Sequence, residues 1–207
     1  MEDILYLAAL EYQKLLNVGY YILLGRKCKM YILNLRFKRS DFFHLTGLQH
    51  LTDITFPTSN KERIFKEILN KRIGNELIKK SVFYETYRIE ERIINLKRLE
   101  EMLDSNQFMF LINHKEYLKF TKIYADYLCE YFFPENQNEC LYFFIVKVLK
   151  PMVQNEVVGC SFFKKHLIDY TVGASETKLL LNRKSIGYGT ENEKIIELYK
   201  HPNYKEN

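Results

Sequence analysis

Residues 17–38 read NVGYYILLGRKCKMYILNLRFK. Two apolar runs, 20–24 and 30–37, flank a short Gly-Arg-Lys turn, which is the pattern of a β-hairpin. In the second run Met30, Ile32 and Asn34 alternate with Tyr31, Leu33 and Leu35. A period of two places alternate side chains on opposite faces of a strand. Cations gather at the ends of this run: Arg26, Lys27 and Lys29, then Arg36, Lys38 and Arg39.

On the upstream side, MEDILYLAALEYQKLL repeats apolar residues (Ile4, Leu5, Ala8, Leu15, Leu16) at helical spacing, interrupted by Glu11 and Lys14. That predicts an amphipathic surface helix. Acids at positions 2 and 3 stand where a signal peptide carries cations. No apolar run approaches the roughly 18 residues that span a bilayer. The expectation is a soluble, cytoplasmic protein with no membrane partner.

Downstream, SDFFHLTGLQHL (40–51) opens with Ser40 or Asp41 as a helix cap. Ser59 and Glu62 match a capping box for a helix in SNKERIFKEILNKRI, punctuated by Gly74. A long helix is expected over about 81–104, with Phe83, Tyr87, Ile94 and Leu99 among alternating Glu and Arg/Lys. From residue 107 short apolar runs take over. Strands are expected at 107–113, 120–133, 140–149, 159–163 and 177–184, with turns at NHKE, PENQNE and KPMVQN. ENEKIIELYK reads as a short terminal helix. The fold class is therefore α+β: an N-terminal helix and hairpin, a helical middle, then an antiparallel sheet with helices on one face. One domain over 1–207 is expected, with the helices at about 57–105 as an insertion standing partly away from the sheet.

The 207 residues are 47% hydrophobic, with 16 Tyr and 15 Phe, enough for a core and unlike a disordered chain. The net charge of +5 permits a nucleic-acid partner without requiring one. Cys28, Cys129, Cys140 and Cys160 form no CxxC pair and stand at no ligand spacing from a histidine. That argues against zinc and against a disulfide framework, so the reading assigns no metal and no cofactor. GxxxxGK[ST], GxGxxG, HExxH and GxSxG are all missing, which disfavours nucleotide-dependent, zinc-protease and serine-hydrolase chemistry.

On a continuous helix at about 100° per residue, His44 shares a face with Leu48 and Leu51, with Gly47 beside them. Phe43, Thr46 and His50 lie opposite. Two readings of His44 compete: a core histidine held by one hydrogen bond, or a water-restricted imidazole that acts as acid or base near neutral pH. Lys38, Arg39 and the amides of residues 41–43 would suit a phosphate. Lys71 and Arg72 supply further cations. DYTVGASETKLLL (169–181) brings Tyr170, Thr171, Ser175, Thr177 and Lys178 to a polar bend before an apolar strand. His114 and His166 read as incidental.

The basic hairpin, FFHLTGLQHL and DYTVGASETKLLLNRK together resemble phage-associated nuclease-like domains of the Barnase–EndoU–colicin–RelE superfamily. The segment F-x-H-L-T-G-L (Phe42, His44, Leu45, Thr46, Gly47, Leu48) carries most of the likeness. The resemblance implies a small α+β fold and a metal-independent endoribonuclease, toxin-like or active in phage–host conflict. Such an enzyme turns a ribose 2′-hydroxyl on its own phosphodiester and leaves a 2′,3′-cyclic phosphate. Transferred to this chain, His44 is the base or acid. Tyr170, Ser175, Thr177 and Lys178 protonate or contact the phosphate, while Lys38, Arg39, Thr46, Gly47, Lys71 and Arg72 line the RNA path. RNA is the expected partner, with a neutralising antitoxin or a phage or host protein as a second. A catalytically inactive nuclease-like scaffold that binds such a protein is the competing reading.

Overall fold

The structure, a computed structural model, describes residues 3–106, 109–149 and 155–206. The hairpin is present as β1 (Val18–Arg26) and β2 (Lys29–Arg36). Its turn is tighter than Gly-Arg-Lys: Lys27 and Cys28 alone close it, with φ of 47° and 59°. Two left-handed residues match the right-handed twist of the flanking strands. Leu33 and Leu35 are buried while Met30 and Ile32 face solvent, as the alternation requires.

The hairpin is central rather than a preface. One sheet of nine strands contains it, adding β3 (Met109–Ile112), β4 (Tyr127–Phe133), β5 (Asn136–Lys147), β6 (Glu156–Lys164), β7 (Ala174–Glu176), β8 (Lys178–Ile186) and β9 (Lys194–Lys200). The order is β7-β3-β4-β5-β6-β2-β1-β8-β9. The β2–β6 pair is parallel, the other pairs antiparallel. Strands β7 and β8 lie near opposite ends of that order, yet only Thr177 separates them. Two Cα steps reach at most about 7 Å, so the sheet must curl until its ends nearly meet. Thr177 marks the seam, its amide and hydroxyl both donating to the Met109 carbonyl.

Helix α1 (Ile4–Leu15) is capped by Asp3, whose carboxylate accepts from the Tyr6 amide at 3.1 Å. It buries Leu5, Ala8, Ala9, Tyr12 and Leu15. Helix α2 is short (Asp41–Leu45). In α3 (Lys61–Leu69) the cap is Asn60, accepting from the Arg63 amide at 3.1 Å, in place of the Ser59–Glu62 box. A short α4 (Asn75–Ile78) follows Gly74, and the long helix expected over about 81–104 is broken into α5 (Phe83–Thr86), α6 (Ile89–Asn95) and α7 (Leu99–Asp104). Arg88 turns left-handed at φ 51° between α5 and α6. The break changes the buried face: Tyr84, Ile89, Ile93, Leu96 and Leu99 go in, whereas Tyr87 and Ile94 stay out. These helices do not stand apart. They share one apolar cluster with Leu33, Leu35, Tyr131, Phe143 and Phe162 of the sheet.

Strand β5 shows why its sequence is apolar throughout. Leu141, Phe143 and Ile145 enter the helical cluster, while Cys140, Tyr142 and Phe144 enter a second one on the opposite face. That face is covered by α8 (His114–Tyr117), formed where a turn was expected, and by Ile123, Ala125 and Tyr170. Helices thus lie unequally on both faces, and burial on both faces produces continuous rather than alternating hydrophobicity. Strand β4 starts at Tyr127, not 120, and the expected terminal helix is the edge strand β9. Adjacent β-branched Ile195 and Ile196 suit a strand, and the open edge of β8 supplies backbone partners. Gln107, Phe108 and the turn at 150–154 lie outside the described residues. Among the described residues no helix is long and apolar enough to cross a membrane.

Candidate active site

The FFHLTG segment is shaped by its own side chains. Asp41 accepts from the Lys38 amide at 2.9 Å, closing the turn that enters α2. The Thr46 hydroxyl donates to the Phe42 carbonyl at 2.7 Å, and Gly47 then leaves the helix at φ 79°. A short 3-10 turn, Leu48–His50, follows. The continuous helical wheel therefore fails after Thr46. Phe42, Leu45, Leu48 and Leu51 all go inward. Leu45 settles against Gly159 of β6, where an added Cβ would lie 3.2 Å from its Cδ2. His44 and His50 are both left half-buried on the same short stretch.

His44 is not sealed in the core. Its Nε2 lies 2.7 Å from the Nζ of Lys61, the first residue of α3. An ammonium has donors and no acceptor, so Nε2 accepts and the neutral ring carries its proton on Nδ1. Burial, then the Lys61 charge, pulls the His44 pKa below 6.5. The His50 ring lies flat on Tyr87, with centroids 4.3 Å apart and planes 11° apart. Burial lowers its pKa too, assisted by the charges of Arg92 and of His44 when protonated. Two imidazoles that are neutral at neutral pH stand close enough to sense one another.

Arg92 of α6 passes over Gly47: a Cβ there would meet the Arg92 Cδ at 2.8 Å. Its guanidinium rests on the Phe163 ring at 4.8 Å and donates to the carbonyls of Tyr87 (3.1 Å) and Phe162 (3.5 Å). Among the described residues it makes no ion pair. Burial lowers its pKa to about 10, so it remains a cation. Tyr170 lies beyond it, packed on Phe163 and Phe144. Burial raises the Tyr170 pKa, and Arg92 and Thr121 draw it partly back.

His50, Tyr87, Arg92, Phe163 and Tyr170 line an open cleft of about 820 Å³ between α5–α6, the 121–124 segment, β6 and the 166–170 segment, with His44 and Lys61 outside its lining. Arg88, Arg92, Lys122 and Lys164 bring four cations to its lining, and no carboxylate lines it among the described residues, though Lys164 pairs with Glu139 outside the lining at 2.6 Å. His166 also lines it. The Nε2 of His166 lies 2.7 Å from Glu91 and its Nδ1 2.6 Å from Arg88. Placed together, the His50 imidazole with His44 behind it, the Tyr170 phenol and the Arg92 guanidinium, which has no ion pair among the described residues, can take a proton, give one, and hold an anion.

The site residues expected from sequence are dispersed. Tyr170 lines the cleft, while His44 and Gly47 lie beside its His50 and Arg92 without lining it. Thr46 is fully buried with its hydroxyl committed to Phe42, and Gly47 makes room for Arg92 rather than for a ligand. Ser175 pairs with Leu111 in β7. Thr177 and Lys178 line a different groove, of about 850 Å³, at the seam. The two depressions share no lining residue. Lys38 pairs with Glu156 at 2.7 Å and Arg39 is exposed. Lys71 sits over the Tyr6 ring at 4.5 Å, and Arg72 pairs with Glu67 at 3.1 Å. Both lie past the far end of α3, whose nine residues put that end roughly 12 Å from Lys61.

Sequence reading missed His50, Lys61, Arg92 and the His166–Glu91–Arg88 group. Arg92 carries no local signal, being one cation among many in 81–104. The spacing of His50 from His44 was visible, but the kink at Gly47 had to be known before both could share a site.

No curated protein and no solved structure matches the chain. A family model, described as phage-Barnase-EndoU-ColicinE5/D-RelE like nuclease 4, matches residues 4–206 and so spans the helical middle as well as the sheet. The chain belongs to this family of nuclease-like proteins.

Proposed function

We propose that the protein is a metal-independent endoribonuclease of phage–host conflict, acting in the cytoplasm. The observation that carries this reading is Arg92, a partly buried guanidinium without a carboxylate partner, open to a cleft beside His50 and Tyr170. A buried charge left unpaired is costly, and a phosphodiester supplies the missing anion. A cleft lined by cations suits a phosphate held without a bridging metal ion.

His44 takes the proton of the ribose 2′-hydroxyl. The 2′-oxygen attacks the adjacent phosphorus, the bond to the 5′-oxygen breaks, and Tyr170 protonates that leaving oxygen. The products are a 2′,3′-cyclic phosphate and a 5′-hydroxyl. Arg92 and Lys61 hold the charge that develops on the phosphorane. As Lys61 turns to the phosphate, it releases His44 Nε2 to act as base.

The test is cleavage of total tRNA and a mixed RNA pool in EDTA, with product ends mapped. Wild type should leave cyclic-phosphate ends, and His44→Ala should lose about 10²–10⁴-fold in rate with its melting temperature nearly unchanged. Folded wild type that cuts none of these RNAs overturns the reading. It would favour the inactive scaffold, for which the exposed Leu167 and Ile168 at the cleft rim are the supporting observation.

A further inference from the structure

The cleft is walled by rings as well as by cations. Tyr124 lines it and is 58% exposed. Its ring is backed by His114, with centroids 4.5 Å and planes 20° apart. His114 does not line the cleft, so it covers one face of Tyr124 and leaves the other to the opening. On the helical wall Tyr87, 39% exposed, lies flat on His50. Each imidazole in these pairs is held by a neighbour: His114 by Asp126 at 3.3 Å, His50 by Gln49 at 3.3 Å. The cleft therefore carries two pre-set flat ring pairs.

A ring face kept in water beside cations has an evident use. Nucleobases stack on such faces whatever their sequence, while the cations track the phosphates. An A-form duplex offers no free base face, since its bases already stack on one another. We propose that Tyr124 and the His50–Tyr87 pair are stacking platforms for two unpaired bases of one RNA strand, with Arg92 and Lys122 on the phosphates between them. The site thus selects unpaired RNA and excludes duplex. This rests on the ribonuclease reading for its choice of RNA, and its test does not depend on cleavage.

The probe is a fluorescein-labelled 2′-O-methyl RNA 12-mer, which lacks the attacking hydroxyl, compared with its own duplex by anisotropy at fixed salt. Wild type should bind the single strand at least about tenfold more tightly. Tyr124→Ala should weaken that binding about 5- to 100-fold, and Tyr124→Phe, which keeps the ring, by no more than about twofold. A 2-aminopurine in the strand should be quenched by wild type and not by Tyr124→Ala. Because Tyr124 is largely exposed, the truncation leaves the core intact. Equal affinity for duplex and single strand, or a Tyr124→Ala protein that binds like wild type, overturns the proposal. Cleavage of ordinary RNA by the same preparations keeps the outcomes apart: cutting without Tyr124 dependence removes the platforms only, and Tyr124-dependent binding without cutting removes the catalytic reading only.

Discussion

Lys184 and Arg92 are both cations drawn in from solvent, and their surroundings differ completely. The Lys184 ammonium lies 2.6 Å from Asp104 and 2.8 Å from Glu100, and Tyr20 donates to Asp104 at 2.8 Å. Burial works against that charge, the two carboxylates outweigh it, and the pKa rises. Arg92 has carbonyl and ring contacts and no ion pair among the described residues, and burial lowers its pKa. The region around β1, β8 and α7 answers its charge from within. The cleft leaves its charge to be answered from outside. Electrostatic completeness thus separates a structural cation from a candidate binding cation where burial alone would not.

Substituting the two cations tests that separation most severely. Arg92→Ala should reduce RNA cleavage about 10²–10³-fold, the usual cost of removing one preorganised group that faces developing charge. Its melting temperature should hold or rise, because an unpaired buried charge is gone. Lys184→Ala should do the reverse. It should cost about 3 kcal/mol of stability, at the low end for a broken buried pair because Asp104 and Glu100 are partly solvated. Cleavage per folded molecule should stay the same. Melting curves and initial rates on both variants check this, and a stability loss in Arg92→Ala matching that of Lys184→Ala would erase the contrast.

Gly47→Ala gives a smaller, mixed effect. Its φ of 79° belongs to the left-handed region, costing a residue with a Cβ about 1–2 kcal/mol. The added Cβ would also press on the Arg92 Cδ at 2.8 Å and the Ile89 Cδ1 at 3.0 Å. Stability should fall by about 1–3 kcal/mol. Cleavage should fall by more than the folded fraction explains, on the order of tenfold, because the guanidinium is displaced. Circular dichroism beside rate measurements separates the two losses.

The same dependence on distant neighbours governs what the sequence discloses. Residues 18–36 could be read as a hairpin because period and turn are both local. The apolar run in β5 announced a strand, but not that both its faces were buried. ENEKIIELYK misled, since its backbone partner is the edge of β8. The 81–104 helix misled at Arg88, whose left-handed turn no composition signals. The order β7-β3 through β8-β9 is set by pairings far apart in sequence. In the site, the motif histidine was visible. Its companions were not: Lys61 is 17 residues away, and Glu91 reaches His166 across 75. Such groups meet only after the sheet has curled and α6 has crossed Gly47.

The smallest expected effect concerns pH and shows whether Lys61 tunes His44. The His44 pKa is lowered, first by burial and then by Lys61. A base must be unprotonated, so the cleavage rate should climb with pH through a midpoint below 6.5 and be level above it. Stability follows the same sign. The unfolded chain binds the proton at about 6.5 and the folded chain only at lower pH, so stability is full above 6.5 and declines as pH falls towards the folded-state value. His50, lowered for similar reasons, adds to the decline. Lys61→Met removes the neighbouring charge and leaves the burial. The acid limb of the rate should then move up towards 6.5, with the plateau lowered because a phosphate contact is lost as well. A limb that stays in place, measured on the same RNA at constant ionic strength, would mean that burial alone sets His44 and that Lys61 serves the phosphate only.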